Sequence, residues 1–164
     1  MTVLNDMTIV LGGDAGQGME SSGAGLAKAL TRAGLHVFAG PDYHSRIRGG
    51  HNFYTVRVAP NEIAAHRSHA ELLLALTKDT VTAHAGEMSS GAGVLFDPSL
   101  GVDEAALKAR GLRSMPVPVL QIGADAGDRM MANTALLGAA AGVTGWGLTE
   151  MEGVIRQNFG RKNV

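Results

Sequence analysis

The sequence predicts an α/β layered domain: a mixed, mostly parallel sheet flanked by helices. Three observations predict it. Short apolar runs alternate with longer segments of helical period, as in "MTIVLGG" followed by "QGMESSGAGLAKALTRA". The runs end at glycine or proline, at Gly12–Gly13, Gly40–Pro41 and Asp97–Pro98. The stretch from 41 to 58 carries the alternation of a strand with one exposed face, which calls for an antiparallel neighbour in an otherwise parallel sheet.

Each element has its own signal. Residues 7–13 are a buried first strand. A helix runs from about Gln17 to Ala33, with Gly34 as its C-terminal cap. "LHVFAG" (35–40) is a second strand stopped by Pro41, and "HNFYTVRV" (51–58) a third. "AELLLALT" (70–77) is a buried strand, "KDTVTAHAGEM" (78–88) a helix, and "GAGVLFD" (91–97) another strand. "VDEAALKARG" (102–111) is a short helix with acids first and bases last, the order the helix dipole prefers. "LRSMPVPVLQIG", with two prolines, suits an edge strand or an extended segment. "RMMANTALLGAAAGVTG" and "LTEMEGVIRQNFG" close the chain as two helices. Met130 and Met131 read as core packing.

The chain has 164 residues, enough for one domain with a real core. No internal repeat or linker divides it. A net charge of -1 gives no global field to recruit nucleic acid or an anionic membrane, so any cationic site must be local. With no cysteine, neither a disulfide nor an iron–sulfur cluster can be ligated within this chain. That fits a reducing, cytoplasmic setting. No apolar run is long enough to span a bilayer. "RQNFGRKNV" stops one turn past a helix without a capping signal, the pattern of a domain cut from a longer chain.

Two polar loops carry the candidate sites. "GGDAGQGMES" joins the first strand to the first helix, where glycines let backbone N–H groups approach a phosphate. The P-loop pattern fails, because Met19 and Glu20 stand where Lys and Ser or Thr are needed. A dinucleotide fingerprint fits loosely, with Gly16, Gly18 and then Ser21, and with Asp42 as a weak ribose-binding acid. Asp14 and Glu20 would oppose a pyrophosphate unless they face away. The alternative is a tight turn that lets the first helix pack close to the sheet. Gly23 and Gly25 favour close approach, since a helical glycine costs about 1 kcal/mol against Ala.

The second loop is "HSRIRGGHNF" (44–53). Arg46 and Arg48, two apart in an extended segment, would present two guanidiniums on one face, suited to a carboxylate or phosphate. Gly49 and Gly50 permit a sharp reversal, and Asn52 adds a donor and an acceptor. Ion pairing with acids of this domain or of a partner is the plainer use of such arginines. His44 and His51 flank the pair without an obvious third metal ligand. His66 and His69 read as loop residues, and His36 and His84 as ordinary ones. No Ser-His-Asp order or nucleophile elbow stands out, and no catalytic residue is assigned.

Together, "GGDAGQGMESSGAGLAKALTRAGLHVF", "PDYHSRIRGGHNFYTVRV" and "AELLLALTKDTVTAH" resemble the gamma domain of the 2-oxoacid:ferredoxin (acceptor) oxidoreductases. The combination of "GQG" with "RIRGGHN" is specific, whereas either half alone is weak. The resemblance covers nearly the whole chain and implies a Rossmann-like fold. It is closest to forms in which gamma is fused ahead of an alpha, pyrimidine-binding region. The complete enzyme of that family oxidatively decarboxylates a 2-oxoacid, such as pyruvate or 2-oxoglutarate, to an acyl-CoA and passes electrons to ferredoxin. The resemblance places thiamine diphosphate, magnesium and iron–sulfur clusters in partner domains, the alpha region and the beta subunit. It implies that the gamma domain packs against them and helps receive coenzyme A. On that reading Arg46 and Arg48 engage coenzyme A phosphates or fix the domain against its neighbours, while Gly16, Gln17 and Gly18 shape the adjacent loop. Both roles stay open, and no metal site is expected. Two other readings make distinct predictions. A stand-alone Rossmann-like nucleotide module would bind a dinucleotide and lose it on Gly18→Val. A structural homodimer would bury its loops in a symmetric interface.

Overall fold

The computed structural model describes residues 5–43, 50–128 and 131–159. Arg46, Arg48, Gly49, His44 and Met130 lie outside the described residues, as does the tail from 160. The strands are β1 (Met7–Asp14), β2 (His36–Tyr43), β3 (His51–Ala59), β4 (Ala70–Ala75), β5 (Met88–Phe96) and β6 (Arg113–Pro116). The helices are α1 (Met19–Arg32), α2 (Lys78–His84), α3 (Glu104–Ala109), α4 (Val119–Asp125), α5 (Ala132–Thr144) and α6 (Leu148–Phe159). The six strands form one sheet in the order β2-β3-β1-β4-β5-β6. β4 pairs parallel to β1, β5 to β4 and β6 to β5, while β3 runs antiparallel to both β1 and β2. The mixed, mostly parallel α/β architecture read from the sequence is therefore present.

Alternation along the central strands splits the core in two. Ile9 and Leu11, Val56 and Val58, and Leu72 and Leu74 turn towards α1, α5 and α6. Val10, Leu73, Val94 and Phe96 turn the other way, against Val81 of α2 and Leu107 of α3. α1 buries Met19, Ser22, Gly23, Leu26, Ala29 and Leu30, a single helical stripe. Gly23 lies against the Tyr54 ring, and a Cβ there would overlap it, so the close approach expected from this glycine is real. Gly25 is only partly buried. α1 ends as expected: Ala33 is the C-cap, Gly34 has φ 85°, and the Leu35 N–H donates to the Leu30 carbonyl at 3.2 Å.

Three boundaries differ from the sequence reading. β2 does not stop at Pro41 but runs to Tyr43, because it is an edge strand paired on one side only, where a missing N–H is tolerated. The 78–88 helix is shorter: α2 ends at His84, a 3-10 turn covers Ala85–Glu87, and Met88 already starts β5. "LRSMPVPVLQIG" is an edge strand only as far as Pro116. Val119–Asp125 is helix, with Pro118 at its N-cap, a position that needs no intrahelical N–H. Thr77 caps α2 through its side chain, which accepts from the Thr80 N–H, and Asp103 caps α3 in the same way from Ala106. Among the described residues, no helix is long and apolar enough to cross a membrane.

Candidate functional site

The two glycine loops meet at one edge of the sheet. β1 ends there, β2 ends there, and β3 begins there. Gly13 is the register partner of Asn52, Asp14 of His51, and Tyr43 of Asn52. The Ala15 N–H donates to the Gly50 carbonyl at 3.0 Å, tying the first loop to the last residue of the second. Five predicted site residues, Gly16, Gln17, Gly18, Gly50 and Asn52, are thus brought to one place. Arg46, Arg48 and Gly49 belong to the segment between Tyr43 and Gly50, whose two ends both border this edge.

The first loop is closed from inside. The Gln17 N–H donates to the Asp14 carbonyl at 3.1 Å, and Gln17 Oε1 accepts from the Asp14 N–H at 2.7 Å. The Gln17 carbonyl in turn accepts from Asn133 Nδ2 of α5 at 3.2 Å. Gly18 has φ 74° and occupies the N-cap of α1 with no side-chain cap. A Cβ at Gly18 would lie 2.9 Å from Asn133 Nδ2, so this glycine is required both by backbone conformation and by space. Gly16, with φ 95°, instead faces open space.

Over this edge lie two adjoining hollows of about 410 and 270 Å³. Ala15, Gly16, Tyr43 and Asn52 border both. The first turn of α1, which has no side-chain cap, opens on the smaller one, an arrangement suited to a phosphate or carboxylate. One wall has the opposite character. Glu20 lines the smaller hollow and accepts a hydrogen bond from the Tyr43 hydroxyl at 2.8 Å. Burial, with the nearby Glu20 charge adding to it, raises the Tyr54 hydroxyl above its ordinary value. Glu20 therefore does not face away from the cleft, and Asp14 is half-buried in the turn.

Sequence reasoning missed three participants. Asn133 was hidden in a small-residue helix, although it is a lone amide in an apolar first turn. Tyr43 was hidden beyond the expected end of β2. His84, read as ordinary, is 2% exposed, with Nε2 2.8 Å from His51 Nε2 and Nδ1 2.8 Å from Glu87 Oε2. The dinucleotide fingerprint fares differently. β3 is inserted between β1 and β2, so the exposed Asp42 stands on the outer edge strand rather than on a strand adjoining the glycine loop. Among the described residues, no three His, Cys, Asp or Glu side chains converge as metal ligands would.

Comparison with known proteins agrees with this fold. Subunit VorA of the ketoisovalerate oxidoreductase of Methanothermobacter marburgensis is 29% identical over 161 residues, 96% of this chain but 33% of VorA. The chain thus spans about a third of that relative. The 2-oxoglutarate:ferredoxin oxidoreductase from Magnetococcus marinus, solved with 2-oxoglutarate, coenzyme A and succinyl-CoA bound, shares the fold. Its TM-score is 0.88 at 23% identity, covering 98% of this chain and 28% of that one. The gamma subunit of a keto/oxoacid ferredoxin oxidoreductase from Geobacter sulfurreducens superposes with a TM-score of 0.76 at 21% identity, covering 92% of this chain and 85% of that subunit. The family model described as pyruvate ferredoxin/flavodoxin oxidoreductase matches residues 8–164, and the chain belongs to that family.

Proposed function

We propose that this chain is the gamma-type domain of a 2-oxoacid:ferredoxin oxidoreductase, and that residues 1–164 form one domain that works beside a thiamine-binding alpha region. The whole enzyme oxidatively decarboxylates a 2-oxoacid to an acyl-CoA and reduces ferredoxin. Thiamine diphosphate, magnesium and iron–sulfur clusters are supplied by the alpha region and the beta subunit, since this chain contains no cysteine to ligate a cluster. Its own role is to receive coenzyme A, to dock against those partners, or both, in a cytoplasmic complex. The observation that carries this reading is the joining of the two glycine loops, Ala15 N–H to Gly50 carbonyl, beside a cleft lined by Gly16, Gly18, Tyr43 and Asn52.

The cleft favours a division of labour. The Glu20 carboxylate repels a phosphate from the α1 end, so the anion is assigned to Arg46 and Arg48, and the α1 end serves contact with a neighbouring domain. Calorimetric titration with coenzyme A, with Arg46→Ala/Arg48→Ala alongside, tests this. Saturable binding that the double variant loses supports a phosphate clamp. Binding that survives the double substitution removes the arginines from the ligand site. A wild type that stays silent alone, but binds once the alpha and beta partners are added, supports a site completed by docking.

A further inference from the structure

The back of the cleft wall carries a feature that the proposed function does not use. Strand alternation sends Asn52 and Tyr54 to the α1 side of β3, and His51 and Phe53 to the α2 side. There His51 Nε2 meets His84 Nε2 at 2.8 Å, and His84 Nδ1 meets Glu87 Oε2 at 2.8 Å. The Phe53 ring stands edge-on to His84 at 4.6 Å and lies roughly parallel to His51 at 6.0 Å. Gly12 of β1 makes the room: a Cβ there would lie 3.1 Å from His51 Cε1 and 2.5 Å from Thr80 Cγ2.

Proton counting limits what this chain of groups can do. An ionised Glu87 only accepts, so His84 carries a hydrogen on Nδ1. A neutral His84 then has a bare Nε2, and His51 Nε2–H donates to it. If the chain takes one proton, the same contact survives with His84 as the imidazolium and its Nε2–H donating to His51. A second proton leaves two N–H groups pointed at each other across 2.8 Å, and the contact must open.

We propose that the His51–His84–Glu87 chain is a positioning device for the cleft: with at most one extra proton it pins the start of β3, and with two it releases it. The pinned residues are the ones the cleft needs. Asn52 follows His51 and lines both hollows, and Gly50 precedes it and holds the Ala15 N–H. Among the described residues, other charged groups on the elements packed around the pair are Asp14, the register partner of His51, and Lys78 and Asp79 in the first turn of α2. Arg110 after α3 adds another, its Nη1 3.9 Å from where a Gly86 Cβ would lie. Glu87 is the partner in hydrogen-bond contact with His84. The link from chain to ligand rests on the cleft being the binding site proposed above, whereas the link from chain to Asn52 does not.

The test is nitrogen-15 NMR of the 164-residue chain between pH 8.5 and 5, without ligand. His84 is expected as the Nδ1–H tautomer and His51 as Nε2–H at high pH. As pH falls, the backbone amides of Asn52 and Ala15 should hold still while the pair carries at most one extra proton, and move when both rings carry a hydrogen on each nitrogen. His84→Gln, whose amide oxygen accepts from either protonation state of His51, should keep those amides still throughout. Amides that ignore the doubly protonated state would overturn the proposal, as would amides that still move in His84→Gln. Equimolar zinc ligated by both Nε2 atoms would also overturn it, making the pair a metal site. Coenzyme A titrated afterwards separates the two readings. Amide coupling without coenzyme A binding, alone and with the alpha and beta partners added, rejects the ligand site alone, and pH-independent coenzyme A binding with silent amides rejects the device alone.

Discussion

Asp97 closes β5 with a carboxylate that is 5% exposed and fully engaged. Its Oδ1 accepts from the Ser99 N–H at 2.9 Å and the Ser99 hydroxyl at 2.6 Å, and its Oδ2 accepts from the Leu120 N–H at 2.8 Å. Burial alone would push this carboxyl up. The Ser99 hydroxyl and the two N–H groups outweigh that and hold it below its ordinary value. In Asp97→Asn one oxygen still serves Ser99, but the NH₂ faces the Leu120 N–H, donor against donor. A hydrogen bond to a charged group contributes about 1.5–3 kcal/mol, and a buried unsatisfied group costs about 1–3 kcal/mol. The variant should therefore lose about 2–4 kcal/mol, read as a lower urea midpoint with an unchanged slope. The pH dependence has a definite sign. A carboxyl with a depressed folded pKa contributes stability that is present above its unfolded value, about 4, and lost as pH falls through the folded value. The gap between wild type and variant should be constant near neutral pH and shrink below about pH 4. A loss under about 1 kcal/mol, or a gap that does not shrink in acid, would refute the assignment of this carboxylate.

Three further substitutions probe the same frame. Gly23→Ala should cost about 1–3 kcal/mol despite the better helix propensity of Ala, because the added methyl meets the Tyr54 ring; thermal melts would show it. Gly138→Ala should do the reverse and stabilise α5 by about 0.5–1 kcal/mol, since a Cβ at Gly138 meets nothing within 4 Å. Glu20→Gln should lower the Tyr54 hydroxyl pKa part of the way back, as burial persists, and should tighten binding of an anion in the cleft by up to about fivefold. Spectrophotometric titration of tyrosinate reads the first effect and calorimetry the second.

The layered fold was legible because the central strands are buried on both faces and read as continuous apolar runs. "MTIVL", "ELLLA" and "GVLF" cannot be mistaken for surface. The edges were harder. Pro41 reads as a stop in any window, and only pairing on a single side lets β2 continue through it. In "PVPVLQIG" the same residue type hid a helix start, because a proline before a short helix looks like one that ends a strand. α4 contains Gly123 for a reason that sequence does not show: a Cβ there would sit 2.7 Å from the Ala132 N of α5.

The candidate site was legible to the extent that it is made of backbone. Gly16 and Gly18 announce themselves because a loop that turns sharply needs glycine, and the strand register with the Ala15–Gly50 hydrogen bond then fixes where they meet Gly50 and Asn52. Its support was not, because support comes from side chains distant in sequence. Asn133 reaches Gln17 across 116 positions, and His84 reaches His51 across 33. Asp97 belongs to the same support, since it tethers α4, α4 packs on α5 through Gly123, and α5 carries Asn133. A loosened Asp97 should therefore be felt at the Gln17 amide before the domain unfolds, as faster hydrogen exchange there than at the mid-strand amides of β4. The glycine loop is then not a flexible hinge but a turn braced from α5, which is what a surface that must present one shape to a ligand or a neighbouring domain requires.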